Sequence, residues 1–128
     1  MKKLIVNFDF EKLITLETTK NLTDLPWNAH PKFEGVELKH LITAKESQDL
    51  FSYHLVRILP YKKIGYHNHQ DQIETHEVIS GSGICILDGQ EYPYKPGCIT
   101  IFPQKINHKI RATAEGLVLL AKFFPALC

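Results

Sequence analysis

From Val36 onward the chain alternates short apolar runs with polar, glycine and proline residues, and the runs are rich in β-branched and aromatic side chains. This spacing predicts strands over 36–43, 51–59, 64–69, 74–79, 83–87, 91–94, 99–102, 108–112 and 117–124. The helical signal is weak throughout, and the polar residues 44–49 read as the connection of a hairpin. Residues 22–33 carry Pro26, Trp27 and Pro31 and read as an irregular lead-in that packs its tryptophan onto something larger. Regularly spaced short strands with Gly and Pro turns predict an all-β chain, an antiparallel sandwich or barrel.

Candidate chemistry lies on these strands. His67 and His69 stand at i and i+2, which puts both imidazoles on one face of an extended strand. Glu74 opens the next run, and a tight connection would bring its carboxylate back towards the pair, with His108 joining from a later strand. In the Glu74 strand, parity puts His76 and Val78 on the same side as Glu74, and Thr75, Glu77 and Ile79 on the other. His76 is therefore a candidate pocket residue: a metal ligand, a general acid or base, or a hydrogen-bond partner of a bound molecule. On the 51–59 strand, Tyr53, Leu55 and Arg57 share one face, with His54, Val56 and Ile58 on the other. Tyr53 and Arg57 are candidates to bind a carboxylate or hydroxyl of a substrate, and Tyr53, Arg57, Tyr66, His76 and Phe102 are candidates for the pocket wall. His30 and His40 stand apart from this constellation and read as ordinary satisfied histidines.

The stretch from Tyr61 to Gly81 resembles the first cupin motif, G-x5-H-x-H-x3,4-E-x6-G, with His67, His69, Glu74 and Gly81 in register. Tyr61 stands where that motif has its first glycine, and nearby Gly65 is a candidate to supply the permissive backbone instead. The second motif, G-x5-P-x-G-x2-H-x3-N, is met by Gly97, Pro103 and His108, while Lys105 replaces its second glycine and Ala112 its asparagine. Asp88-Gly89 lies in the short segment between the motifs and reads as a hairpin turn. The resemblance implies a cupin jelly-roll β-barrel, or double-stranded β-helix, of the small single-domain kind. It also implies a metal site of His67, His69, Glu74 and His108. Three imidazoles and a carboxylate suit one divalent transition metal ion, Fe, Mn, Ni, Cu, Co or Zn, with coordination positions left open for a ligand.

Composition narrows the setting. A chain of 128 residues, 44% of them hydrophobic, fits one domain with its own core. Residues 1–50 are expected to form an N-terminal arm and first strands contributing to the barrel and a dimer, and 51–128 the barrel core. Fifteen basic against fourteen acidic side chains leave almost no net charge, which argues against nucleic acid as a partner. The apolar start of the chain is interrupted by Asn7 and Asp9, too early for a signal peptide, so residues 1–6 read as a strand or arm. No apolar stretch is long enough for a transmembrane helix, so no membrane role is expected. Three cysteines without Cys-x-x-Cys spacing fit a reducing, cytoplasmic setting. The apolar segment 123–127 and the surroundings of Trp27 call for cover, and a homodimer is the expected assembly. The expected function is that of a metal-dependent enzyme, of dioxygenase, isomerase or lyase type, acting on a small oxygenated metabolite. The alternative is a non-catalytic module that binds a small-molecule ligand such as a sugar or metabolite.

Overall fold

The computed structural model describes residues 8–128, so the strand or arm expected over residues 1–6 lies outside the described residues. Two short strands, β1 (Lys12–Ile14) and β2 (Thr19–Asn21), form a small hairpin, followed by a 3-10 turn at Leu22–Asp24 and by β3 (Asn28–Ala29). The main sheet joins β3 to β4 (Val36–Ile42), β5 (Ser52–Ile58), β6 (Lys63–His67), β7 (Ile73–Leu87), β8 (Gln90–Tyr94), β9 (Ile99–Phe102) and β10 (His108–Phe124). Its order is β3-β4-β5-β10-β7-β8, with β6 paired to β10 and β9 to β7. Every pairing is antiparallel. The expected all-β jelly roll is therefore present.

Two differences from the strand pattern have local causes. The runs 74–79 and 83–87 form one strand, β7, and the runs 108–112 and 117–124 form another, β10. Each long strand bends at a glycine, Gly81 (φ +86°) and Gly116 (φ +75°), where the β7–β10 register shifts. The bends touch: a Cβ on Gly81 would lie 2.0 Å from the Gly116 carbonyl oxygen, so only glycine fits there. Between β4 and β5, the expected hairpin connection contains a short helical turn, α1 (Ala44–Ser47), begun by a Thr43–Glu46 capping box and ended by Gln48 in a left-handed conformation.

The backbone also corrects the expectation for Gly65. Tyr61 itself takes the left-handed conformation (φ +63°), and Lys105, at the second substituted motif glycine, does the same (φ +68°). Gly65 instead lies within β6, where an added Cβ would meet the Phe33 ring at 2.9 Å. Asp88 and Gly89 both have positive φ and join β7 to β8 as a two-residue hairpin turn.

Alternation along β5 sorts the core into two clusters. His54, Val56 and Ile58 point into the barrel, where Val56 and Ile58 pack with Val78, Phe102, Ile110, Leu117, Leu119, Ala121 and Phe123. Leu55 points outward and packs with Leu22, Leu41, Val118 and Leu120, with Trp27 and Tyr53 at the margin. The Arg57 guanidinium lies 4.1 Å from the Trp27 ring centre, and Lys39 also approaches that ring, so the tryptophan is covered from within the chain. Among the described residues, no helix is long and apolar enough to cross a membrane.

Candidate metal centre

Three strands and one loop converge on a single buried carboxylate. Glu74, near the start of β7, points into the barrel and is 5% exposed. His67 is the last residue of β6, and a register irregularity between β6 and β10 leaves it opposite His108. His69 lies beyond the strand end, in the loop towards β7, so the pair does not share one regular strand face. That loop is tied down by the Lys105 N–H donating to the His69 carbonyl at 2.9 Å, and by Asn68 donating to Asn107 at 2.7 Å. His108 opens β10 and is 1% exposed.

The donor atoms of His67, His69, Glu74 and His108 all lie within 4.8 Å of one another. Glu74 Oε1 is 3.1 Å from His108 Nε2 and 3.4 Å from His69 Nε2. Two ligands about 2.1 Å from one ion and at right angles to each other stand about 3 Å apart, so these edges fit a shared cation. Backbone carbonyls orient the rings: His67 Nδ1 is 2.8 Å from the Gly65 oxygen and His108 Nδ1 is 3.1 Å from the Ile106 oxygen. An Nδ1–H donated to each carbonyl leaves the Nε2 lone pairs free for a metal. Phe102 stacks on His108 with ring centres 4.1 Å apart, and Phe123 stands edge-on to His69 at 4.9 Å.

The second oxygen of Glu74 serves His76. Its Oε2 is 2.9 Å from His76 Nε2, His76 Nδ1 is 3.2 Å from the Tyr94 hydroxyl, and that hydroxyl donates to Thr100 Oγ1 at 2.9 Å. Burial alone would raise the Glu74 carboxyl, but the charge of His76 and hydrogen bonds from His108, His69 and His76 hold it well below the usual carboxylate range. Burial pushes the His67 imidazole down to about 4, partly offset by its bond to the Gly65 carbonyl, which keeps it neutral and able to ligate at pH 7. Burial likewise raises the Tyr94 phenol far above its ordinary value, so it stays a neutral hydrogen-bonding group.

A cavity of about 80 Å³ adjoins the cluster, lined by His67, His69, Glu74 and His76 and by residues including His30, Val56, Phe123 and Leu127. His76 thus stands where parity places it. Tyr53 and Arg57 do not reach this space: they lie on the outer face of β5, where Arg57 pairs with Glu37 at 2.9 Å and Tyr53 packs beside Lys122. Once His54, Val56 and Ile58 take the inner face, strand alternation leaves no other place for them. Tyr66 is exposed beneath Lys109, and Phe102 contributes as a support behind His108 rather than as cavity lining. His30 and His54 were not singled out by motif or spacing. His30 comes from the irregular segment before β4, and its Nδ1 accepts from the Lys32 and Phe33 N–H groups, a local bond that gives no signal in sequence.

The known proteins that resemble the chain share this architecture. The family model described as a cupin domain matches residues 54–121, more than half of the chain. L-ectoine synthase of Vibrio cholerae is 34% identical over 80 residues, covering 60% of this chain and 56% of that protein, so the match spans little more than half of the relative's length. The RmlC-like cupin from Shewanella frigidimarina superposes with a TM-score of 0.74 at 13% identity, covering 92% of this chain and 96% of that one. Bacillus subtilis oxalate decarboxylase, a protein with Mn(II) centres, superposes with a TM-score of 0.69 at 20% identity, covering 84% of this chain and 29% of that one. With its jelly roll, its two motif segments and a matching family model over residues 54–121, the chain belongs to the cupin family.

Proposed function

We propose that His67, His69, Glu74 and His108 hold one divalent transition metal ion, and that the chain is a metal-dependent enzyme acting on a small oxygenated metabolite. The observation that carries this reading is the buried Glu74 oxygen facing the Nε2 atoms of His69 and His108, with His67 completing the set. Such a carboxylate needs positive charge beside it, and a divalent cation supplies it while using the oriented imidazole lone pairs. When bound, the ion would act as a Lewis acid on ligand oxygens. The chain's own residues do the rest. His76, wedged between Glu74 and Tyr94, fixes the carboxylate orientation and can hold or pass a proton at Nε2. Val56, Phe123 and Leu127 add apolar lining to the cavity, and its volume of about 80 Å³ limits a ligand to a few heavy atoms.

The synthase and the decarboxylase among the similar proteins support lyase or synthase chemistry, and the Mn(II) centres of the decarboxylase support manganese among the candidate ions. A homodimer remains part of the proposal, since Ile99 and Ile101 expose apolar surface on β9. The tightness of the cavity favours a second reading, in which the protein binds a small ligand without turning it over.

Elemental analysis of protein purified without a tag or chelator tests the metal assignment. The double variant His67→Ala/His108→Ala is expected to lose about one equivalent of bound transition metal relative to wild type while keeping its β-sheet circular dichroism. Equal metal content in both would refute the assignment. Assays of the metal-loaded protein on oxalate and other small oxygenated acids then separate the enzyme from the binding module.

A further inference from the structure

A second group of ligand-type side chains lies where β4, β5 and residues 126–128 meet and contains none of the residues of the first. β4 and β5 set His40 directly opposite His54, and their imidazoles meet Nδ1 to Nδ1 at 2.8 Å with ring planes at 87°. Cys128 Sγ lies 3.8 Å from His40 Nδ1, and the three donor atoms fall within 4.8 Å of one another. His54 is fully buried, His40 half-buried and Cys128 exposed, so the group opens to solvent on one side only.

Two imidazole nitrogens at hydrogen-bond distance cannot present lone pairs to each other, so a proton or a cation must lie between them. A tetrahedral ion with bonds of about 2.0 Å to nitrogen and about 2.3 Å to sulfur sets its ligands about 3.3 Å (N to N) and about 3.5 Å (N to S) apart. The observed 2.8 and 3.8 Å flank those edges, within reach of small side-chain rotations. The surroundings hold the donors in place. His54 Nε2 is 2.7 Å from Ser52 Oγ, which can accept a hydrogen bond from Nε2–H and so leave Nδ1 bare for a metal. Ser52 Oγ also accepts from the Leu127 N–H at 2.8 Å, the Ala44 N–H donates to the Cys128 carbonyl at 2.7 Å, and the Ala126 N–H donates to the Asp49 carbonyl at 3.2 Å. Backbone bonds thus place the cysteine beside the histidines before any ion arrives.

We propose that His40, His54 and Cys128 form a second metal site, selective for a thiophilic divalent ion of the Zn²⁺ type, whose occupation pins residues 126–128 against the cavity. Two nitrogens and a thiolate are a softer set than the three nitrogens and carboxylate of the motif site, so the two sites prefer different ions. The fourth position faces solvent and is filled by water. Because Leu127 lines the cavity and Phe123 stands edge-on to both His54 (5.5 Å) and His69 (4.9 Å), the ion holds one wall of the first site in place. The proposal does not depend on the metal assignment of the motif residues.

Titration of chelator-treated full-length protein with Co²⁺, followed by absorption and by equilibrium dialysis, tests it. Among the described residues the motif site contains no sulfur, so a thiolate-to-cobalt charge-transfer band reports on the second site alone. Wild type is expected to show the band, and Cys128→Ser and His40→Ala each to lose it together with about one equivalent of bound ion. His67→Ala/His108→Ala is expected to keep the band and lose a different equivalent; a band that survives with no change in stoichiometry in that variant would sink the motif-site reading and leave this one standing. The proposal is overturned if wild type shows no thiolate band, if Cys128→Ser retains it, or if Cys128→Ser binds as many ions as wild type.

Discussion

The barrel carries two histidine clusters on either side of Phe123, and they are built by opposite means. The first gathers His67, His69 and His108 around the buried Glu74, which holds its charge because imidazoles surround it. The second gathers His40, His54 and Cys128 with no carboxylate, and its buried member His54 is pushed down to about 4 by desolvation and then by the nearness of His40. An anionic centre attracts a hard or borderline cation and tunes it through its outer hydrogen bonds. A neutral centre depends on a thiol that releases its proton to solvent as the metal binds its sulfur. One barrel therefore holds two donor sets of different charge, one buried around a carboxylate and one open to solvent at Cys128.

The largest expected effect separates the two. Glu74→Gln keeps the side-chain volume but removes the charge, and metal affinity at the motif site is expected to fall by more than about 100-fold, beyond the range typical for an outer hydrogen-bond partner. The cobalt–thiolate band of the Cys128 cluster should not change, and a parallel loss there would mean that the clusters act as one unit. Removing the support behind Glu74 is expected to do less. His76→Gln, measured by competition with a chelator, should weaken the motif site by about 10–100-fold, and an unchanged affinity would show that Glu74 is oriented without it.

Acid should weaken both clusters in the metal-free protein. His54 and His67 each have folded values lowered from 6.5 to about 4, so the unfolded chain binds more protons than the folded one between those limits. Stability is therefore complete above about pH 6.5 and falls as the pH drops towards about 4. Urea midpoints across this range should show the loss, and His67→Ala should reduce the slope by up to one proton while leaving the part due to His54. A midpoint that is flat with pH would contradict the burial of both rings. The smallest effect belongs to the exposed end of the second cluster: Cys128→Ser is expected to change metal-free stability by less than about 0.5 kcal/mol, as read from the same urea curves.

Much of the barrel was legible in advance, and the reasons are physical. Alternation along 74–79 puts Glu74, His76 and Val78 on one face, and all three are buried. Gly81 is the motif position with the plainest cause, a left-handed bend pressed against Gly116. Tyr61 and Lys105 show what a motif string conceals. Both take the left-handed backbone that glycine would take at those positions, so the conformation survives without the residue that makes it easy. On β5 the alternation was legible but its direction was not. Period two says that Tyr53 and Arg57 share a face, and only the packing of Trp27 and Leu55 outside the barrel shows which face that is.

By itself the sequence determined most of the strand pattern and the hairpin at Asp88-Gly89, because each depends on short spacings that local backbone geometry converts into direction, while the grouping of His67, His69 and Glu74 with the distant His108 came from the resemblance to the two cupin motifs. Tertiary structure alone decided that runs 74–79 and 83–87 fuse into one bent strand, that His30 and Leu127 line the cavity, and that His40, His54 and Cys128 meet. Those contacts join positions up to 88 residues apart. No local rule spans such distances; the pairing of β4 with β5 and the return of the chain end against Ser52 and Ala44 do.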